Sequence, residues 1–152
     1  MSKNLLINGC TIGRGNVIEL YLENIEKEGG IKKFLKVLEN KKYHIPSVEE
    51  YLKDKIMISI VVNANLIGFI LLEKVKYYGK FFKEGDYTLD YVIKKEYRGN
   101  KFGQTALKLL LECKLKDQKR IVLVISPENI ISRKCAKHCN LLNFRNYFFK
   151  EI

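Results

Sequence analysis

Two apolar runs stand almost back to back in this chain. Ile56 to Val62 and Leu66 to Val75 are rich in β-branched and large aliphatic residues, and only Asn63-Ala64-Asn65 separates them. Runs this short read as strands, and so brief a connection folds the second back on the first as a hairpin. The tract Ile56 to Leu72 is cut by Asn63 and Asn65 and falls short of the ~20 apolar residues that a membrane-spanning helix needs. The chain therefore has to build a sheet around this pair and cover it. Further strands are expected where Tyr87, Leu89, Tyr91 and Ile93 alternate with Thr88 and Asp90, at the fully apolar Ile121 to Ile125, and at Asn146 to Ile152. A helix from Phe102 to Lys116 places Leu107, Leu110, Leu111 and Leu115 on one face. Another, starting near Pro127 to Asn129, is expected to bury Ile131, Cys135 and Cys139.

The first third reads as mostly helical. Leu5 to Ile12 makes a strand, but from Asn16 the spacing of Val17, Leu20, Tyr21 and Ile25 is that of a helix face, which Gly29-Gly30 would end. Ile31 to Leu38 repeats the pattern. Ser47 and Glu50 form a capping box for a short helix through Leu52. With no internal repeat and no linker, the economical reading is one mixed α/β domain over residues 1–152.

The chain has 152 residues, 47% hydrophobic and 30% charged, with two prolines, which excludes disordered, collagen-like and low-complexity classes. Lys and Arg total 28 against 17 Asp and Glu, and the resulting +11 favours anionic partners such as phosphates, nucleic acid or acidic lipid. Lysines spread over solvated faces explain the same excess. The cysteines Cys10, Cys113, Cys135 and Cys139 form no C-x-x-C pair, and the opening MSKNLLINGCTIGRG lacks the apolar core of a signal peptide, so a reducing cytoplasm is expected. Cys135 and Cys139 share a helix face that neighbouring His138 does not, and no fourth ligand is near, so no metal site is expected. His44 carries no clear signal.

The chemistry concentrates between Tyr87 and Gln104, where a strand runs through VIKKEYRGNKFGQ into an amphipathic helix. A helix start leaves backbone N–H groups without internal partners at the positive end of its dipole, which is a site for phosphate oxygens. Gly99 and Gly103 would let backbone approach such a ligand, with Arg98 and Lys101 adding charge.

This segment resembles the pyrophosphate turn of the GNAT superfamily of acyl-CoA-dependent N-acetyltransferases, Gln/Arg-x-x-Gly-x-Gly/Ala. Arg98-Gly99-Asn100-Lys101-Phe102-Gly103 matches its first and last fixed positions and places Lys101 where the middle glycine belongs. Ser126 to Ser132 is similar to the family's Asn-x-x-Ser/Ala segment through Asn129 and Ser132. Ala136 stands where many members have a tyrosine general acid, and Asn140-Leu141 where Gly-Phe is usual. Serine at position 132 without that tyrosine leans toward the branch that acetylates protein N-termini, ribosomal proteins especially.

The resemblance implies a mixed, mainly antiparallel sheet flanked by helices on both faces, and an enzyme that takes acetyl-CoA and an amine acceptor, with no metal and no membrane. A homodimer is compatible with it. It implies that the backbone of Tyr91, Val92 and Ile93 holds the acyl and pantetheine groups, that Arg98, Gly99, Asn100, Lys101, Phe102, Gly103 and Gln104 surround the diphosphate, and that Asn129 and Ser132 meet the pantetheine arm. The amine attacks the thioester directly, so catalysis is orientation and oxyanion stabilisation. An ammonium of pKa about 10.4 must first lose a proton, for which Asp90 and Glu73 are the candidate carboxylates. Ser132 could protonate the departing thiolate, and Tyr147 could replace the missing tyrosine if the fold brings it near. The positive charge disfavours polyamines and aminoglycosides as acceptors unless Asp86, Asp90, Glu73 and Glu84 form an acidic patch, so a protein N-terminus or a small amino compound is preferred. The alternatives are a non-catalytic acyl-CoA-binding module and a basic nucleic-acid-binding protein, the latter without a recognisable motif.

Overall fold

The computed structural model describes residues 5–12, 16–23, 28–38, 45–112 and 120–151. The expected hairpin is there: β3 (Lys55–Val62) pairs antiparallel with β4 (Asn65–Lys74), and Val62 lies opposite Asn65. The loop is thus only Asn63-Ala64, both with left-handed φ (49° and 68°), as a two-residue hairpin turn matching the strand twist requires. Asn63 also ties the turn to its neighbour, its Oδ1 accepting from the Val17 amide at 2.9 Å and its Nδ2 donating to Asn16 Oδ1 at 2.8 Å.

That neighbour corrects the helical reading of the N-terminal third. Asn16–Glu23 is a strand, β2, paired with β3 on one side and with β1 (Leu5–Ile12) on the other. Val17, Leu20 and Tyr21 fit helical spacing, but Ile18 and Leu20 also fit a period of two, and both are completely buried. The free edge of β3 decides between the periods, because its backbone N–H and C=O groups need partners. Gly29-Gly30 lies inside the first turn of α1 (Glu28–Leu38) instead of ending a helix, and Ser47 is the third residue of α2 (Ile45–Leu52), past the position where a cap would sit. The expected roles of Ile25, His44, Cys113, Leu115, Lys116 and Ile152 lie outside the described residues.

The remaining elements are β5 (Asp86–Ile93), α3 (Phe102–Glu112), β6 (Arg120–Val124), α4 (Ile130–His138), β7 (Leu142–Phe144) and β8 (Tyr147–Glu151). The C-terminal strand is therefore preceded by a second short one, turned at Arg145-Asn146 with Arg145 at φ 54°. One sheet results, in the order β1-β2-β3-β4-β5-β6-β8-β7, antiparallel throughout except for β5 and β6. Alternation along the strands separates two cores. Ile58, Ile60, Ile70 and Leu72 face α3 and α4, while Met57, Phe69 and Leu71 face Phe34 and Val37 of α1 and Val48 and Leu52 of α2. Cys135 and Cys139 lie in the first core, but Ile131 is 83% exposed and belongs to neither.

The parallel pair positions the site. β5 and β6 meet only at Asp86↔Arg120, Tyr87↔Ile121 and Thr88↔Val122, then part. Their closed end is pinned by a buried bidentate ion pair, Arg120 Nε and Nη2 donating to Asp86 Oδ1 and Oδ2 at 2.8 and 2.7 Å. Phe81 lies over the Arg120 guanidinium at 4.4 Å and stacks on Tyr147 with centroids 4.2 Å apart. Asp86, 1% exposed and committed to Arg120, is thereby removed from any surface acidic patch.

Candidate active site

Where β5 and β6 part, a cavity of about 430 Å3 opens between them. One wall is Leu89, Asp90 and Tyr91, the other Leu123 to Ile125, and Ser126, Asn129 and Ser132 close one side from the start of α4. On the opposite face of the sheet is a second cavity of about 200 Å3, between Phe34 of α1, Val48 and Tyr51 of α2, and Leu71 of β4. Asp90 and Tyr91 border both cavities, so the middle of β5 is a partition between them.

At the far end of β5 the chain makes a single 3-10 turn over Lys95–Tyr97 and enters α3 through Arg98 to Lys101. Lys101 has a φ of 61° and Gly99 one of 83°. The lysine thus takes the left-handed backbone that a glycine would take at that position, a conformation costing a side-chain-bearing residue about 1–2 kcal/mol. The Lys101 carbonyl then accepts from Thr105 N and Thr105 Oγ1, both at 3.0 Å, which starts α3 and leaves the first-turn amides of the helix without helical partners. A Cβ at Gly99 would meet nothing within 4 Å, so the outside of the turn is open. These features fit a diphosphate: open space, a helix start, and cations at Arg98 and Lys101.

Other positions in the turn are occupied by structural work. Arg98 Nε donates to Ile93 O at 2.9 Å, Asn100 Nδ2 reaches the carbonyls of Tyr97 and Arg98 at 3.4 Å, and the Phe102 side chain is buried in the core. Gly103 answers to packing: a Cβ there would lie 3.2 Å from Tyr91 Cε2 and 3.5 Å from Ile93 Cγ1, so glycine lets α3 sit close to β5. Gln104 lends its carbonyl to Cys139 Sγ at 3.5 Å.

Across the fork, Asn129 caps α4, its Oδ1 accepting from Ser132 N at 3.2 Å. Ser132 Oγ accepts a long hydrogen bond, 3.4 Å, from the Tyr91 hydroxyl. Burial holds that phenol well above its ordinary pKa, the Ser132 contact opposing in part, so Tyr91 keeps its proton at neutral pH. The resemblance gives a role to the Tyr91 backbone alone and none to this hydroxyl. The alternation Tyr87, Leu89, Tyr91, Ile93 does place it on the α3–α4 side. Tyr147, the other candidate phenol, has its ring against Phe81 and does not border the cavity.

Of the two carboxylates, Asp90 borders both cavities and Glu73 borders neither. Burial raises the Asp90 pKa; Lys55 pulls it back and Glu73 adds to the rise. Glu73 is itself engaged by Lys55, Nζ to Oε1 3.7 Å. Under α4, the hydrogen bond from Cys139 lowers the Cys135 thiol to about 7 and raises that of Cys139, and both side chains are buried. Among the described residues no cluster of three or more His, Cys, Asp or Glu could hold a metal ion, and no helix is long and apolar enough to cross a membrane.

The sequence profile of the acetyltransferase (GNAT) domain matches residues 31–141. The chain belongs to the GNAT acetyltransferase family. The match takes in the glycine turn, the β5–β6 fork and the helix after it. Solved GNAT structures share the fold at low identity. The GNAT domain of S. lividans PAT superposes with a TM-score of 0.74 at 7% identity, covering 95% of this chain and 96% of that one. An aminoglycoside acetyltransferase, AAC(6')-Ib, solved with coenzyme A, gives 0.73 at 13%, covering 88% and 94%. A mutant of the spermidine N-acetyltransferase SpeG from Vibrio cholerae gives 0.68 at 14%, covering 88% and 93%. No curated protein matches the chain.

Proposed function

We propose that this GNAT domain transfers an acetyl group from acetyl-CoA directly to a primary amine. The observation that carries the reading is the placement of Asp90 and Tyr91 between two cavities, one in the β5–β6 fork and one apolar on the opposite face, so that two substrates can meet round the edge of β5 that β6 leaves unpaired. Acetyl-CoA, when bound, supplies an acyl carbon activated as a thioester. The turn from Arg98 to Gln104 holds the diphosphate through backbone amides and the Arg98 and Lys101 charges. The edge of β5 at Tyr91 to Ile93, beyond its pairing with β6 and with Asn129 and Ser132 opposite, orients the pantetheine arm.

Asp90 accepts the proton of the attacking ammonium. Tyr91, kept protonated by its surroundings, turns its O–H from Ser132 Oγ to the sulfur left behind and takes the place of the tyrosine absent at Ala136, the Ser132 hydroxyl then donating to the phenol oxygen. Glu73 acts through Lys55 on the Asp90 charge. Serine at 132 and alanine at 136 favour the branch that acetylates protein N-termini.

Thiol release from acetyl-CoA with a panel of amines tests the transferase reading, and absence of release with every amine refutes it in favour of a binding module. Asp90→Asn is expected to lower kcat roughly 10²-fold or more, the usual contribution of a positioned base. It carries a second signature. Because the folded-state pKa of Asp90 lies above its unfolded value, the native state binds the proton more tightly, and stability falls as pH rises from the ordinary carboxylate range through the raised pKa. The Asn variant therefore melts higher than the parent at neutral pH, and the difference vanishes in acid below the ordinary carboxylate pKa. Tyr91→Phe is expected to lower kcat on the order of a hundredfold while calorimetric affinity for acetyl-CoA stays unchanged. A loss in affinity without a loss in kcat would remove the hydroxyl from the chemistry.

A further inference from the structure

The cavity on the α1–α2 side of β5 has a definite chemistry. Phe34, Val48 and Leu71 in its wall are at most 3% exposed and belong to the second core, so its shape is set by packing and exists before any ligand arrives. Tyr51, Tyr91 and Val92 continue the largely apolar lining, and among the described residues Asp90 is the one charged side chain that borders it. Its volume, about 200 Å3, can be compared with a dry cavity of roughly 150 Å3 that admits benzene. That leaves room for one ring or branched alkyl group and a short stem.

The rim sets a second limit. Lys55 Nζ lies 4.0 Å over the Tyr51 ring and donates to Tyr51 O at 2.7 Å, while also pairing with Glu73. A ligand bringing one ammonium to Asp90 finds a counter-charge there. A ligand with further ammonium groups brings them toward Lys55, in a chain whose formal charge is already +11. Hydroxyl-rich amines would leave their polar groups unpaired against Phe34, Val48 and Leu71.

Resting on the transferase reading above, we infer that the acceptor is a monoamine whose ammonium meets Asp90 while a single aromatic or branched aliphatic group fills the cavity between α1, α2 and β4. Such a group comes either from a small arylalkylamine or from the apolar first residue of a peptide.

Thiol release should be followed with phenethylamine, a tetrapeptide beginning with phenylalanine, ethanolamine, spermidine and kanamycin. At least one of the two phenyl-bearing amines is expected to exceed ethanolamine in kcat/KM by roughly tenfold or more, the worth of burying one such group, and which of them is faster identifies the source. Spermidine and kanamycin are expected to be the poorest. Tyr51 is 46% exposed, so it tolerates substitution, and Tyr51→Ala should reduce the ratio of phenyl-bearing amine to ethanolamine. Turnover led by spermidine or kanamycin, or a ratio unmoved by Tyr51→Ala, would overturn the inference and leave the transferase reading standing. Absence of release with any of the five would overturn that reading and the inference with it.

Discussion

Replacing Gly68 with alanine is expected to destabilise the fold by about 1–3 kcal/mol or more, the range for overpacking a filled interior, and to impair function through the same displacement. Gly68 lies in β4 opposite Ile93, just past the irregularity where Ile60↔Gly68 is followed by Val61↔Leu66. A Cβ there would fall 2.2 Å from the Val92 carbonyl oxygen and 2.9 Å from Ile93 Cδ1. The first contact is with backbone and cannot be relieved by a rotamer change. β5 must move at the residues that border the cavities, or β4 must. Thermal unfolding measures the first effect and acetyl-CoA affinity the second. A variant as stable as the parent with full affinity would show that β5 is not held where the account requires.

The second large effect concerns the closed end of the fork. Arg120→Leu leaves Asp86, whose side chain is 2% exposed, with the Lys83 amide at 2.8 Å but without its cation. Removing one partner of a buried pair costs about 3–5 kcal/mol, because the other charge stays buried and uncompensated. For a domain of this size that corresponds to a fall in Tm of about 6–20 °C. Arg120 also donates to Phe81 O at 2.9 Å and lies under the Phe81 ring, so the segment between β4 and β5 loosens as well. Replacing Asp86 by Leu in the same chain should recover much of the loss, since the unpaired charge is then gone. Calorimetric melting of the two single variants and the double variant separates the charge effect from the loss of packing.

What the sequence reveals of this fold follows from how local each signal is. The β3–β4 hairpin is legible because two asparagine-bounded apolar runs admit one arrangement, and the β5–turn–α3 segment because its strand period, glycines and helix period follow one another directly between Asp86 and Glu112. Asn16–Glu23 is ambiguous: Val17, Leu20 and Tyr21 fit a helical period and Ile18 and Leu20 a period of two, and the deciding factor, the open edge of β3, lies some forty residues away. The backbone of Lys101 cannot be read from its side chain, since lysine rarely adopts positive φ and is held there by the Gly99 turn and the start of α3. The Asp86–Arg120 pair and the Tyr91–Ser132 contact link residues 34 and 41 positions apart. Both depend on β5 and β6 being parallel neighbours, which composition and spacing do not encode. The turn before α3 is thus visible as a local motif, whereas the partition between two cavities exists only once the sheet is assembled.

The central claim is that the turn at the start of α3 grips the cofactor's diphosphate. Gly103 is a poor place to test it, because a Cβ there would lie 3.2 Å from Tyr91 Cε2 and press on that ring, mixing a packing effect with the charge effect. Lys101 is exposed and bears its positive φ whichever long side chain it carries, so Lys101→Glu reverses the charge without adding backbone strain. Isothermal titration with acetyl-CoA at low salt is the direct measurement. The expected affinity is lower by roughly tenfold or more in the variant, as when a charge-assisted contact becomes a repulsion, with an unchanged melting temperature and a difference that shrinks as salt is added. Equal affinity in the two proteins would contradict it.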